Sequence, residues 1–250
     1  MNGTVTVSQT ILYEGSSLTI TSTPDENYVI DTVKINGRTY GNAALITIPE
    51  VRGNVYVEVT FKLAWQNPFA DVSESDWFYP YVAWAHFNGI ANGTSANTFS
   101  PDTVLTRSML VTFLWRAEGC PDAKTPAGFA DVADGMFYTE AVAWAAENGI
   151  VMGYSDGRFG PDDIITREQI AVIMHRVAGY KGYDVTAEKI TDLSAFTDTA
   201  SVSVYALDGM RWAVGYGLMV GRDGSRLDPK GRASRAESVT ILARFYADMK

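Results

Sequence analysis

Three arginines occupy one position of a repeated pattern, and their residue type suits the binding of a carboxylate. Arg107, Arg167 and Arg235 each follow a Thr or Ser, which predicts a helix N-cap directly before them. A cation at the first position of a helix meets the positive end of the helix dipole, which is mildly unfavourable. We therefore expect a compensating anion at each arginine. A helix start offers free N–H groups, and a guanidinium can hold a carboxylate through two hydrogen bonds.

The alternative is that each arginine pairs inside the chain. Asp102 and Asp162 stand five residues before the first two arginines. The aspartates of a recurring Phe-x-Asp motif are further candidates, and exposed ion pairs of this kind contribute little stability. The residue types alone leave both interpretations open.

Other residues recur together with the arginines and are candidates for contacting a carbohydrate. They are the tryptophans Trp84, Trp144 and Trp212, the aspartates Asp71, Asp131 and Asp198, and the glycines Gly93, Gly153 and Gly221. A tryptophan ring can stack on a sugar, an aspartate can accept hydrogen bonds from its hydroxyls, and a glycine lets a ligand approach closely. Structural roles are the alternatives: core packing for the tryptophans, turn formation for the aspartates and backbone geometry for the glycines.

The repeat becomes visible when residues 69–115 are placed over residues 129–175 without gaps, because 18 of the 47 positions are identical. A more divergent third copy begins at Phe196, and the tryptophan precedes the arginine by 23 residues in all three copies. Each copy predicts a helix, a ten-residue loop and a second helix. The first helix spans about Tyr79–Asn88 in copy one and ends at a glycine, and the second begins after Thr106, Thr166 or Ser234. One such unit cannot bury its apolar face alone, so we expect the three to pack on each other and leave three clefts.

Residues 1–62 follow a different pattern. Residues 55–61 alternate strictly between apolar and polar side chains, as a half-buried strand does, and residues 17–23 and 29–35 are further strands. Asn36-Gly37 indicates a hairpin. The predicted fold is therefore mainly α, a pseudo-threefold assembly of three helix-loop-helix repeats preceded by a small all-β module of four or five strands. The predicted boundaries are 1–62 for the β-module and 63–120, 121–180 and 181–250 for the repeats.

Composition excludes several classes of function. The net charge of −9 argues against nucleic acid and anionic membranes as partners, and no apolar run is long enough to span a bilayer. One cysteine and two histidines leave little for a metal site or a Ser–His pair, so we expect no cofactor. A Gly-x-Ser-x-Gly match at residues 153–157 lies in a repeat loop rather than on a strand-to-helix turn in a sheet, which argues against a hydrolase. The N-terminus has no signal-peptide pattern, so either the protein is cytoplasmic or the sequence is a fragment of a longer protein.

The repeat resembles the S-layer homology (SLH) domains of bacterial surface proteins. The resemblance covers residues 69–250 and rests on the order FxDV, W, NGI or NGL, GxxxxxFxPD and TR, present three times with departures in the third copy. Lys230 replaces the loop aspartate there. Ser108-Met109 follows the first arginine, where the family prefers Ala or Glu and then Glu. These departures argue against equal affinity at three clefts. Residues 1–62 resemble short modules found beside InlB-type repeats, on the segment EGSSLTITSTPDENYVI and the closing alternating strand.

The SLH resemblance implies a three-pronged helical assembly that anchors an exported protein to the cell wall without a covalent bond. It implies that the clefts bind secondary cell-wall polysaccharide with acidic termini, commonly a pyruvylated amino sugar, and that the three arginines face this ligand. The expected location is extracellular, at the cell wall or S-layer. We expect no catalysis, with the β-module as a spacer and other surface-layer proteins as further partners. A protein–protein interaction module without carbohydrate binding remains the alternative.

Overall fold

The computed structural model describes residues 2–185 and 191–248, and the chain divides into two compact units, Met1–Gln66 and Asn67–Lys250. The predicted boundary at residue 62 falls inside a strand that continues to Leu63, because the alternating pattern does not mark where the last strand ends. The described strands lie in the first unit and the described α-helices in the second, so the expectation of a mainly α fold applies to the second unit alone. Within the described ranges no helix is both long and apolar enough to cross a lipid bilayer.

The first unit consists of two three-stranded antiparallel sheets. Its strands are β1 Gly3–Val7, β2 Leu18–Pro24, β3 Tyr28–Ile35, β4 Arg38–Thr39, β5 Leu45–Ile48 and β6 Val57–Leu63. One sheet has the order β1-β2-β5 and the other β4-β3-β6. The six described strands exceed the four or five predicted, because β4 has only two residues and β1 lies in a segment that the sequence analysis did not assign to a strand.

The core of the first unit comes from the alternation of β2 and β3. Leu18 and Ile20 on β2 are buried against Val33 and Ile35 on β3. A register shift between Ile30 and Thr32 interrupts the pairing of β3 with β6, so the inward positions change phase there. The predicted hairpin at residues 36–37 is confirmed, since both residues have the positive φ that such a turn requires.

The second unit contains two described α-helices in each repeat, which confirms the helix, loop, helix prediction. They are α1 Tyr79–Phe87 and α2 Arg107–Ala117, α3 Thr139–Glu147 and α4 Arg167–Tyr180, and α5 Leu207–Gly215 and α6 Arg235–Asp248. The predicted caps also form. Thr166 and Gln169 make a complete capping box, whereas Thr106 accepts from the Met109 N–H without a returned bond, since methionine has no acceptor to offer.

The three repeats are joined in a closed ring of backbone hydrogen bonds. The Leu105 N–H donates to the Ala233 carbonyl at 2.9 Å, Ile165 donates to Leu105 at 3.0 Å, and Ala233 donates to Ile165 at 3.4 Å. Helix packing follows the same order, with α3 against α2, α5 against α4 and α1 against α6. Each repeat thus buries its first helix against the second helix of another repeat.

Candidate functional site

Each of the three arginines donates hydrogen bonds to two backbone carbonyls in a loop of the next repeat around the ring. The bonds are Arg107 Nε to Phe159 O (2.8 Å) and Nη2 to Met152 O (3.4 Å), Arg167 Nε to Leu227 O (2.8 Å) and Nη2 to Val220 O (2.7 Å), and Arg235 Nε to Phe99 O (3.0 Å) and Nη2 to Asn92 O (2.7 Å). The side chains are buried, and this burial lowers the pKa of all three guanidinium groups. Each arginine therefore fixes a loop of the neighbouring repeat.

The helix starts do not have free N–H groups, which corrects the expectation stated for them. The N–H of Arg107 donates to the Asp163 carbonyl and that of Ser108 to the Pro161 carbonyl, at 2.9 and 3.1 Å. The first two backbone N–H groups of α4 and of α6 likewise donate to backbone carbonyls in a loop of another repeat. The sequence pattern predicts the helix start, but only the ring supplies the neighbouring carbonyls that occupy these donors.

Within the described residues, none of the aspartates that the alternative proposed forms a hydrogen bond or an ion pair with the arginines. Asp131, Asp198 and Asp71 act on Arg107, Arg167 and Arg235 only through longer-range charge interactions. A carboxylate oxygen of Glu237 lies 3.7 Å from Nη1 of Arg167, which is the one described ion pair of the three. Nη1 of Arg107 has no hydrogen-bond partner within residues 2–185 and 191–248. This nitrogen is therefore available to donate a hydrogen bond.

The three Phe-x-Asp aspartates hold the repeat loops closed from within. Asp131 accepts from the N–H groups of Phe159 and Gly160, both at 2.8 Å. Asp71 and Asp198 make the equivalent pairs of bonds 28 to 30 residues downstream, at 2.7 to 2.8 Å. Burial alone would raise the pKa of Asp131, but the two backbone hydrogen bonds lower it below the ordinary value. The three aspartates therefore have a structural role in forming the turns, which was the alternative to contacting a sugar.

The glycines permit close packing of the same loops. A Cβ on Gly153 would lie 2.6 Å from Cε1 of Phe129 and 2.9 Å from the Arg158 carbonyl oxygen. A Cβ on Gly93 or on Gly221 would collide with the equivalent phenylalanine of its own repeat in the same way. Glycine is required here by the neighbouring ring and backbone, without any positive φ.

Two of the three predicted tryptophans belong to the core. Trp144 and Trp212 are 1% and 0% exposed, so neither ring has a face open to a ligand, and core packing describes them. Trp84 is half-buried and stacks on Tyr246 of α6, with ring centroids 6.0 Å apart.

Exposed aromatic side chains occupy a different position, which the sequence analysis missed. Trp77, Phe137 and Tyr205 each stand two residues before the first helix of their repeat and are 59%, 57% and 59% exposed. The signal that identifies them is the recurrence of an aromatic type at one position of all three copies, combined with its place outside the predicted helix. Their exposure makes them available for stacking on a sugar ring.

A cleft of about 340 Å³, the Arg107 cleft, combines one of these rings with two guanidinium groups. It is lined by Arg107, Val151, Met152, Gly153, Tyr154, Gln169, Val172, Ile173, Arg176 and Tyr205. All three repeats contribute, because Arg107 comes from the first and Tyr205 from the third. Arg107 lies over the Tyr154 ring at 4.7 Å from its centroid, which orients the guanidinium.

A cleft of about 250 Å³, the Arg167 cleft, has the corresponding residues one repeat further on. Its lining includes Trp77, Arg167, Val220, Gly221, Arg222, Glu237 and Arg244. The corresponding positions around Arg235 are Asn92, Gly93, Arg116 and Phe137. Arg235 there lies 5.6 Å from the ring centroid of Phe113.

A second arginine follows the first by nine residues in every repeat, at 116, 176 and 244. Arg176 and Arg244 line the Arg107 and Arg167 clefts. Burial, followed by the positive charge of Arg107, lowers the pKa of Arg176. Two cations that share one cleft make it attractive to an anion.

Comparison with known proteins identifies the repeats. A family model for the S-layer homology domain matches residues 68–108, 128–171 and 195–237. Each matched stretch contains one Phe-x-Asp motif, one loop and one of the three arginines at the start of the second helix. The first unit, residues 1–66, lies outside these matches, so its resemblance to InlB-associated modules stays a prediction.

Curated relatives include enzymes and surface-layer proteins. An endoglucanase of Bacillus sp. (strain KSM-635) is 31% identical over 176 residues, which cover 70% of this chain and 18% of the relative. A surface-layer 125 kDa protein of Lysinibacillus sphaericus is 26% identical over 159 residues, 62% of this chain and 13% of the relative. The S-layer protein sap of Bacillus anthracis is 27% identical over 177 residues, 70% of this chain and 21% of the relative. The chain spans about a fifth or less of the length of each.

Proposed function

Because the chain belongs to the S-layer homology domain family, we propose that its helical unit anchors a surface protein to the bacterial cell wall by binding acidic secondary cell-wall polysaccharide. Family membership indicates a location at the cell surface and an anchoring role. The finer proposal is that the ligand is acidic, that a pyruvylated amino sugar is its terminus, and that the three repeats form a threefold assembly with the ligand between them.

The observation that carries this proposal is the lining of the Arg107 cleft. An exposed aromatic ring, Tyr205, stands beside two guanidinium groups, those of Arg107 and Arg176. A sugar ring packs on an aromatic face, and a carboxylate accepts charge-assisted hydrogen bonds from guanidinium groups. A pyruvyl ketal attached to a sugar presents both features in one terminal residue.

The clefts also explain why a binding site can exist on a chain with a net charge of −9. Two positive groups, Arg107 and Arg176, lie together in one inter-repeat cleft, while the carboxylate of Asp131 accepts backbone hydrogen bonds within its own repeat. Local charge rather than net charge governs which ligand enters a partly enclosed cleft.

The role of the rest of the protein follows from the relatives. In the endoglucanase the matched region covers 18% of the relative, which is consistent with an anchoring module attached to a separate enzyme. We propose that this chain likewise is a non-catalytic anchor within a longer polypeptide, and that its β-unit is a spacer.

Co-sedimentation with purified cell walls tests the function. The full chain is mixed with walls from an S-layer-bearing Gram-positive bacterium, before and after chemical removal of the secondary polysaccharide, and the bound fraction is measured at increasing concentration. The proposal predicts saturable binding that is lost on removal of the polysaccharide and reduced when the pyruvyl groups are hydrolysed.

Retained binding to walls stripped of polysaccharide would contradict the proposal and favour a protein or peptidoglycan partner. The control for the β-unit is residues 67–250 alone, a unit with its own core. It is expected to bind as the full chain does.

A further inference from the structure

The Arg107 and Arg167 clefts are lined by residues at corresponding positions of the repeats, but the two linings differ in charge. Position 169 is a glutamine in the Arg107 cleft, and the corresponding residue of the Arg167 cleft is Glu237. Position 154 is a tyrosine, and the corresponding residue is Arg222. Because of these replacements, a ligand carboxylate would approach an acidic side chain in the Arg167 cleft but not in the Arg107 cleft.

In the Arg167 cleft, acidic side chains of the protein neutralise the positive charge of the arginines. Arg222 donates from Nη2 to both carboxylate oxygens of Glu237, at 2.6 and 2.8 Å, and from Nη1 to Asp228. The Glu237 carboxylate also lies 3.7 Å from Nη1 of Arg167. A ligand carboxylate entering here would be repelled by Glu237 and would compete with it for the same guanidinium groups.

The Arg107 cleft carries no carboxylate among its lining residues. Arg176 lines it without a hydrogen bond or ion pair to any part of the chain that the structure describes, and its guanidinium is only half-buried. The acids that act on Arg107, Asp163 and Asp131, lie outside the lining. No carboxylate of the lining therefore competes with an incoming anion for Arg107 and Arg176.

The aromatic ring of the Arg107 cleft is also held by a side-chain hydrogen bond. Within the described residues Trp77 makes no such bond, and Phe137 has no group that could make one. The Tyr205 hydroxyl donates to Oε1 of Glu168 at 3.0 Å. Glu168 is 2% exposed and also accepts from Lys230 Nζ at 2.5 Å and from the N–H and hydroxyl of Ser203 at 3.0 Å. Its charge is satisfied behind the ring, so it fixes the ring without opposing an anion.

We propose that the Arg107 cleft is the principal acidic-sugar site of this chain, with Arg176 as a carboxylate-binding residue and Glu168 as the residue that positions Tyr205. The Arg167 cleft, filled by its own Glu237, is a weaker site for acids. This inference rests on the proposed function and specifies which of the related clefts performs it.

Calorimetric titration tests the inference with the full chain and a pyruvylated N-acetyl amino sugar as its methyl glycoside. Arg176→Ala should weaken binding about tenfold or more, as expected for a lost charge-assisted hydrogen bond. The matched variants Arg244→Ala and Arg116→Ala remove the corresponding arginine of the other repeats, outside the Arg107 cleft, and should leave the affinity of that cleft within about twofold. Thermal unfolding of each variant checks that the fold is retained.

A second pair of variants tests the reason for the difference between the clefts. Glu237→Gln gives the Arg167 cleft the residue that the Arg107 cleft already has, and glutamine can preserve the capping box as Gln169 does. This variant should gain a second binding event for the pyruvylated sugar. Tyr205→Phe keeps the ring but loses the bond to Glu168, and it should weaken the principal site while Phe137→Tyr leaves it unchanged.

The outcomes separate the two proposals. If the wild-type chain binds the pyruvylated sugar no better than the same sugar without pyruvate, the proposed acidic ligand fails and this inference fails with it. If the wild type binds but Arg176→Ala is no weaker than Arg244→Ala or Arg116→Ala, the ligand stands and the assignment to the Arg107 cleft is overturned.

Discussion

Arg235 and Phe99 lie 136 residues apart in sequence and are joined by a hydrogen bond of 3.0 Å from the guanidinium Nε to the backbone carbonyl. The bond connects the last repeat to the loop of the first and thereby closes the ring. The same relationship joins Arg107 to Phe159 and Arg167 to Leu227. The three arginines thus fix the loops of the neighbouring repeats, and Arg107 and Arg167 also line clefts between the repeats.

Removal of one of these arginines should destabilise the second unit. Arg235→Leu leaves the buried carbonyl of Phe99 without this donor and also removes the bond to the carbonyl of the exposed Asn92. The two lost hydrogen bonds to a charged group are expected to cost roughly 2–5 kcal/mol. Urea unfolding followed by tryptophan fluorescence measures this loss. Unfolding at the wild-type urea concentration would show that the ring does not depend on the arginine.

Gly153→Ala should destabilise the loop between α3 and α4, because the added methyl group collides with Phe129 and with the Arg158 carbonyl. The expected loss is about 1–3 kcal/mol, the range for overpacked sites. The matched control is Gly179→Ala, inside α4 with open space around it, which should gain about 0.5–1 kcal/mol from helix propensity. Equal effects of the two substitutions would refute the packing argument.

The Phe-x-Asp aspartates predict a specific dependence of stability on pH. The pKa of Asp131 and that of Asp198 are lowered in the folded chain, since backbone hydrogen bonds outweigh the effect of burial. A carboxyl with a depressed folded pKa stabilises the fold above its unfolded value, near 3.9, and loses that contribution as the pH falls through the folded value.

Asp131→Asn should therefore unfold more easily at pH 7, by about 1–3 kcal/mol. Its stability should fall less steeply than that of the wild type when the pH is lowered below about 4. Thermal denaturation between pH 2 and 7 measures both slopes. Parallel curves for variant and wild type would show that Asp131 is not responsible.

Truncation should destabilise the fold strongly at a buried aromatic residue and only slightly at an exposed one. Trp144→Ala removes a buried side chain and should cost about 3–5 kcal/mol. Trp77→Ala removes a side chain that is 59% exposed and should change the free energy of unfolding by less than about 1 kcal/mol. Urea unfolding followed by circular dichroism compares the two variants, and a large loss for Trp77→Ala would place this residue in the core.

Much of the fold can be predicted from the sequence because its signals are local. The hydroxyl residue before each arginine marks the helix start, and the glycines Gly89, Gly149 and Gly217 adopt the positive φ expected after the first helix of each repeat. The alternation in residues 55–61 identifies β6, although it does not mark its end. Such signals require only neighbouring residues.

The candidate site could be predicted only in part, because it depends on contacts between repeats. A sequence shows that Arg107 begins a helix but does not show that carbonyls of Phe159 and Met152, 45 or more residues away, meet its guanidinium. Likewise Trp84 and Trp77 are both tryptophans of the first repeat, and only the packing of α1 against α6 distinguishes the half-buried ring from the exposed one.

The burial of the arginines also decides which variants test the function. Replacing Arg107, Arg167 and Arg235 by alanine would disturb the loops that form the clefts, so a loss of binding would not separate ligand contact from folding. The exposed aromatic residues provide a cleaner test, since Tyr205 and Trp77 line clefts, Phe137 occupies the corresponding position of its repeat, and all three contribute little to the core.

The most direct test of the central claim is wall co-sedimentation of a variant in which Trp77, Phe137 and Tyr205 are all replaced by alanine, compared with wild type at equal concentration. We predict that the variant retains its helical circular dichroism spectrum and loses most of its binding to polysaccharide-bearing walls. Binding of the folded variant with wild-type affinity would contradict the claim that the inter-repeat clefts hold the ligand.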